Sequence, residues 1–586
     1  MRAIVKIAFI TLLLVTTSTA IAQVNIGAGV WSMSPDGRVV EVNGGISSTS
    51  GSVVGWIYDW GDGTKTTGYF PTVHRFPGPG TYSVTLTGYD DRGYVGTSGF
   101  DHIVPTFAGT PVRRVALSTY ELGLKSGEQA TVQIAAYDEE GVPLPPSSLL
   151  IETHNLAPSC GGAAVEGTSL VVTTAQLLDR DTCWLPLLVY VDKVEAEAPL
   201  NVIVNGNSGS FHSAWGQHTG TYLPMGFFTA SVLSDAEFSR ILDLALEYDR
   251  WSVRDKGPDS GDRPVFQGVS YSPPAYGGSG NPLVIGDFTL PVGGVPQFAV
   301  MFHEMGHNFH GANIFFNGLG VPGAFYQETA AEWYVQHNLN GILLDHSPEL
   351  SSPAVDGLER IRTEGRAYHE FEYQNYIDGG MVFDYNHISS SHVLVKKIYD
   401  YSDVHGWNRI RDFMDLFDLR FIPSYAALLA THGGLTTDNK VTYFIAALSE
   451  TFGTDLLPEF ESLNFPVNRP LYEALARVFR RHGEVQISFQ DSTVLMWRGK
   501  ERFSRWNLYR GDLYALRTTG VYTQDPLTVA EARHLCDLSD SVEQDLDVPT
   551  PGGAFFYLIT GLASGVEGSL GINSENAERP NTNPCP

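Results

Sequence analysis

Phe302-His303-Glu304-Met305-Gly306-His307 stands near the middle of a chain of 586 residues. Pro296 sits where a first-turn proline is tolerated, and Phe298, Met301, Phe302 and Phe309 supply apolar anchors, so the spacing predicts a buried helix over about 296–310. Residues four apart share a helix face, which lets His303 and His307 turn one imidazole nitrogen each to a single tetrahedral ion. Glu304 lies one step round, within reach of water at that ion without being a ligand. Gly306 costs the helix about 1 kcal/mol relative to alanine, and its presence implies close approach of another backbone or of substrate.

The third ligand separates the classes of enzyme that share this motif. A metzincin would need glycine at 310 and histidine at 313, where the chain has His310 and Asn313. The other arrangement takes a carboxylate from a second helix, and the stretch from Gly323 to Leu339, closed by Asn340-Gly341, predicts one. Within it stands Gln327-Glu328-Thr329-Ala330-Ala331-Glu332. Glu328, separated from His307 by 20 residues, is assigned as the third ligand. Glu332, one turn on, can accept a hydrogen bond from the far nitrogen of a ligand histidine. Ala330 and Ala331 leave room for the two helices to approach.

His303-Glu304-Met305-Gly306-His307-Asn308-Phe309, followed by a downstream Glu, resembles the enhancin-like, mucin-degrading peptidases among the gluzincins. His405-Gly406-Trp407, the run Phe452-Gly453-Thr454-Asp455-Leu456-Leu457-Pro458 and Phe465-Pro466-Val467 extend the resemblance over about 260 residues. Gln327 replaces the usual Asn, and Leu463-Asn464 stand where a Trp-Gly pair is usual. The resemblance implies one catalytic Zn2+, peptide-bond hydrolysis and mucin-type or other extracellular glycoproteins as substrate. Three protein ligands leave the fourth position open, as in catalytic zinc sites. Glu304 is then the base that removes the proton of the attacking water and passes it to the leaving amine. Tyr326, Tyr385 and His387 are candidates for stabilising the oxyanion. His310 and His392 read as hydrogen-bonded neighbours rather than ligands.

Around this domain, assigned to 207–470, the sequence is rich in strands. Over 23–106, short apolar alternations between Gly, Asp and Pro predict a β-sandwich. Trp56-Ile57-Tyr58-Asp59-Trp60-Gly61-Asp62-Gly63, His74-Arg75-Phe76 and Pro79-Gly80-Thr81-Tyr82-Ser83-Val84-Thr85-Leu86 make the segment resemble a PKD domain, which implies a spacer or adhesive role. Residues 107–206, with Ala130-Thr131-Val132-Gln133-Ile134-Ala135-Ala136-Tyr137 running into Asp138-Glu139-Glu140-Gly141, resemble bacterial Ig-like domains. Asn205-Gly206-Asn207-Ser208-Gly209-Ser210 reads as a linker. Ser234-Asp235-Ala236-Glu237 is a capping box opening a helix, and further helices are expected near 390–416 and 440–453. From 471 to 586 the chain reads as a fibronectin type III-like sandwich, on Trp506-Asn507-Leu508-Tyr509-Arg510-Gly511-Asp512-Leu513 and Phe555-Phe556-Tyr557-Leu558-Ile559-Thr560, with a connector helix over about 469–482.

Residues 1–22 read as a signal peptide, with Arg2 and Lys6 before an apolar stretch and Ala20-Ile21-Ala22 before Gln23, so the protein is expected to be exported. Without it, 37 basic and 65 acidic residues become 35 and 65, a net charge of −30 that disfavours nucleic acid as a partner. No internal run is long enough to span a bilayer. Disulfides are the default for an exported chain, and Cys160 with Cys183 and Cys536 with Cys585 is the pairing that keeps each bridge within one module. The expected partners are a protein or glycoprotein substrate and, through the β modules, glycans or a surface. The competing reading is a surface adhesin with a vestigial peptidase-like domain.

Overall fold

In the computed structural model the chain is multidomain, with N-terminal β-sandwich modules, a central helical region and C-terminal sheets. The structure describes residues 23–67, 70–107, 109–145, 149–253, 266–273, 277–287, 291–311, 328–384, 388–417, 421–481, 485–489, 493–499, 503–550, 552–563, 566–571 and 579–585. The expected signal segment therefore lies outside the described residues.

The first module packs a sheet of Val24–Met33, Val39–Ser48 and Thr72–Arg75 on one of Lys65–Thr66, Val53–Asp59, Gly80–Asp90 and Val95–Val104. Because strand side chains alternate, one face of each sheet delivers Val40, Val42, Trp56, Tyr58, Val84 and Leu86 to a shared core with Trp60 and Phe76. Trp60 stacks on His74, whose Nε2 lies 2.8 Å from Asp62, so the Asp62-Gly63 turn is tied to the core. The second module joins a four-stranded and a five-stranded sheet, and Cys160 is bonded to Cys183 across it with Cα atoms 5.7 Å apart.

The expected linker after this module is not loose. Asn205 ends the strand Leu200–Asn205 and donates to Ser270 and to the carbonyl of Tyr271, which also accepts from Asn207. These bonds pin the second module to the next sheet. Strands rather than helices come first there: Phe211–Trp215, Thr219–Pro224, Gln267–Tyr271, Leu283–Ile285 and, at the edge, Gly277–Gly278. The edge strand runs antiparallel to Leu283–Ile285, while Gln267–Tyr271 runs parallel to both Thr219–Pro224 and Leu283–Ile285.

The helices follow. Asp235–Val253 starts at Ser234, whose hydroxyl accepts from the Glu237 amide at 3.2 Å; Glu237 reaches the amide of Ser351 instead of closing the capping box. The helix Phe298–Gly311 matches its expected span. The next helix, Thr329–Asp345, does not stop at Asn340-Gly341. Asn340 donates to the carbonyl of Gln336, and Gly341 leaves room for the Tyr248 ring, which a Cβ would meet at 2.6 Å. The expected helix over 390–416 is two, Ile388–His405 and Arg409–Asp415, parted at Gly406 with φ 100°. The longest described helix, Ser352–Asp378, has no counterpart in the sequence reading. It was signalled by Ser351, whose hydroxyl accepts from Ala354, and by Pro353 in its first turn.

Arg469–Arg481 is no mere connector, because Leu471, Tyr472, Leu475 and Phe479 are buried in the helical core, which places the module boundary after it. Beyond lie two sheets, one built on Val494–Gly499 and one on Arg505–Asp512, with Cys536 bonded to Cys585. Among the described residues no helix is long and apolar enough to cross a membrane.

Candidate metal centre

The helix Phe298–Gly311 is held against the sheet by its apolar face, where Phe298, Met301, Phe302 and Met305 are fully buried. That leaves His303, Glu304 and His307 facing a cavity of about 900 Å³. Gly306 is explained by the neighbouring helix: a Cβ there would lie 3.1 Å from Ala331 Cα and 3.2 Å from Tyr334 Cβ. Of the two reasons open in the sequence, close approach of a backbone is the one observed. Ala330 and Ala331 are both fully buried, as close helix packing requires.

This approach delivers the carboxylates. Glu328 Oε2 lies 3.0 Å from His303 Nε2, and Glu328 Oε1 lies 3.6 Å from His307 Nε2. The two Nε2 atoms are themselves 3.0 Å apart. Glu332 Oε1 meets the other nitrogen of His303, Nδ1, at 2.9 Å. His303 thus has Glu328 on one side of its ring and Glu332 on the other. One donor atom each from His303, Glu304 and His307 also falls within 4.8 Å of the others. Glu328 is nearer to both imidazoles than that limit, and the Glu304 carboxylate is turned toward the edge strand. A Cβ on Gly277 would collide with Glu304 Oε1, so the glycine is what lets strand and acid come together. Asn308 fixes the same strand end, donating to Gln267 and to the carbonyl of Gly280.

The residues fit a zinc ion. At ligand distances of about 2.0–2.1 Å a tetrahedral ion would separate two nitrogens by roughly 3.3 Å, close to the 3.0 Å spacing here. Two nitrogen donors and a carboxylate are also the donor set of zinc hydrolases.

The charge states are uneven. Burial opposes a charge on His303, but hydrogen bonds to Glu328 and Glu332 outweigh it and lift the imidazole to about 10. Burial and the charge on His303 push His307 down to about 4. Burial lifts the Glu304 carboxyl to about 7. For Glu328 and Glu332 burial works upward, yet bonds from His303, and for Glu332 also from His369, hold both below the usual carboxylate range.

Tyr326, Tyr385, His387 and the His310 side chain lie outside the described residues. His392 is described, and its Nδ1 lies 3.0 Å from Nδ1 of His369, so it is a hydrogen-bonded neighbour. The helix Ser352–Asp378 contributes what the sequence reading missed: Ile361, Glu364, Gly365, Tyr368 and His369 line the cavity. Their 3- and 4-residue spacing is one helix face, a signal hidden because the face mixes acid, aromatic and glycine instead of forming an apolar stripe.

A family model for the PKD domain matches residues 26–104. No curated protein matches the chain. Among solved structures, the PKD1 domain of the Vibrio cholerae metalloprotease PrtV is 27% identical, covering 14% of this chain and 95% of that one, with a TM-score of 0.12. The Clostridium thermocellum CbhA fibronectin(III)-like modules are 14% identical over 32% of this chain and 94% of theirs, with a TM-score of 0.13. Domains 4 and 5 of the S-layer protein SbsC are 12% identical over 23% of this chain and 69% of theirs, with a TM-score of 0.13.

Proposed function

We propose that the chain is an exported zinc endopeptidase of the gluzincin kind, acting on mucin-type or other extracellular glycoproteins. The observation that carries the reading is the convergence of His303 Nε2, His307 Nε2 and the Glu328 carboxylate within 3.0–3.6 Å, with Glu304 beside them at the wall of one cavity. His303, His307 and Glu328 would hold the ion and Glu332 would orient His303. An ion held there would supply Lewis-acid polarisation of a scissile carbonyl and a water acidic enough to be a nucleophile near neutral pH.

The remaining steps fall to the chain's own groups. Glu304, only 8% exposed, takes the proton of the attacking water and returns it to the leaving amine. The edge strand Gly277–Gly278 lines the same cavity and offers backbone N–H and C=O groups along which an extended peptide can align. Substrate preference rests on the sequence resemblance alone, and so does a role for the β modules in holding the enzyme to a glycan-rich surface. Export rests on the leader-like sequence of residues 1–22.

Metal analysis with cleavage mapping tests the reading. The purified chain is expected to hold one zinc ion; Glu304→Gln keeps it and loses at least about 100-fold in hydrolysis, while Glu328→Ala loses the metal. Undiminished hydrolysis by Glu304→Gln would refute the assigned base. Mass-spectrometric mapping on matched peptides with and without O-glycans addresses substrate: equal cutting of both would remove the mucin preference and leave the peptidase.

A further inference from the structure

Behind the metal centre the polar contacts do not stop at Glu332. Its second oxygen, Oε2, lies 3.1 Å from His369 Nε2. His369 Nδ1 lies 3.0 Å from His392 Nδ1, and His392 Nε2 lies 3.4 Å from the hydroxyl of Tyr368, which is back on the cavity wall. The chain of contacts links three helices, since Glu332, His369 and His392 belong to Thr329–Asp345, Ser352–Asp378 and Ile388–His405. His369 and His392 are buried, at 2% and 5% exposure, so bonds missing here are not replaced by water.

With His369 and His392 both uncharged, the donor and acceptor inventory gives this chain one direction. With Nε2 turned to the ion, His303 carries its proton on Nδ1 and donates to Glu332. Glu332 is a carboxylate and accepts only, so the second bond must be donated by His369 from Nε2. A neutral His369 then has a bare Nδ1, which His392 must fill by donating from its own Nδ1. That leaves His392 Nε2 as acceptor for the Tyr368 hydroxyl. Tyr399 adds an edge-on ring contact to His369 with centroids 5.4 Å apart, and its hydroxyl donates to the Glu332 carbonyl at 3.4 Å. His369 is therefore held in ring orientation as well as in tautomer.

We infer that His369 is a positioning residue for the metal centre: it fixes the Glu332 carboxylate that orients His303, and His392 keeps it in the tautomer able to do so. The inference rests on the metal-site reading above. Neither histidine touches the ion or the substrate in this scheme; both act through Glu332.

Two conservative variants divide the bonds of His369. His369→Gln retains a donor near the position of Nε2 and so keeps the bond to Glu332. His369→Asn is shorter, keeps a polar atom near the position of Nδ1 facing His392, and loses Glu332. Zinc affinity of the purified full-length chain, measured by competition with a chromophoric chelator, is expected to fall about 10-fold in His369→Asn and to stay within about threefold in His369→Gln. Because His369 works through Glu332, adding His369→Asn to Glu332→Ala should cost nothing beyond Glu332→Ala alone. The absorption bands of the cobalt-substituted protein should shift in His369→Asn and not in His369→Gln. Should His369→Asn fail to fold, His369→Phe deletes both bonds and carries the same expectation of weaker zinc. Equal affinity in wild type and His369→Asn, equal loss in both conservative variants, or full additivity with Glu332→Ala would overturn the inference while sparing the metal site. A wild-type chain that binds no zinc would overturn both.

Discussion

At the scale of single residues the centre is an exercise in paired burial. His303 is bracketed by two carboxylates, and His307, beside it, is kept neutral by burial and by the charge on His303. His337 shows the same force away from the site. It is 1% exposed in the helix Thr329–Asp345, and burial, reinforced by Arg411, pushes its imidazole down to about 3. The folded chain therefore keeps His337 neutral at a pH where the unfolded chain, with an ordinary value of about 6.5, has bound a proton. Its contribution to stability is complete above about pH 6.5 and is lost as the pH falls toward 3, amounting to about 2 kcal/mol between pH 6.5 and 5. Thermal unfolding of the metal-free chain at about pH 7 and pH 5 should show this drop, and His337→Phe should narrow it. An unchanged gap between the two conditions would show that other groups carry the acid sensitivity.

At the scale of elements, the decisive event is the approach of Phe298–Gly311 to Thr329–Asp345. Gly306 facing Ala331 sets how near the helices come, and that distance sets where Glu328 and Glu332 arrive. A valine at 306 would place methyl groups where Ala331 Cα and Tyr334 Cβ already stand. Gly306→Val is expected to destabilise the chain by about 1–3 kcal/mol, and by parting the helices to weaken zinc as well. Calorimetry together with chelator competition checks both. Full zinc affinity in a destabilised Gly306→Val would mean that the helix spacing does not control the ligand set. The long helix Ser352–Asp378 closes the cavity from the far side and brings His369 to Glu332.

At the scale of the whole molecule, the N-terminal modules are built into the helical region. Arg75 of the PKD domain makes two bonds to Glu195 of the second module, at 2.6 and 3.0 Å, with both side chains at most 10% exposed. Val54, Ile57 and Tyr89 pack on the helical core, and Asp91 accepts from the Leu435 amide at 2.9 Å. A spacer free to swing is not what these contacts describe. Arg75→Ala takes the guanidinium away from a buried carboxylate and is expected to cost about 3–5 kcal/mol, whereas replacing both residues by leucine should recover most of it. Denaturant unfolding of the full chain decides, and an unaffected Arg75→Ala would show that the interface is held by its apolar contacts alone. Sequence by itself determined what depends on neighbours a few positions apart: the alternation that builds the PKD sandwich and the two imidazoles of His303 and His307 on one helix face. Tertiary structure alone decided which distant groups meet, because Glu332 and His369 stand 37 positions apart and Arg75 and Glu195 stand 120 apart. Periodicity reports the face a residue occupies on its own element. The partner across the gap is chosen by how closely the packed elements can approach, and here a glycine and two alanines set that approach.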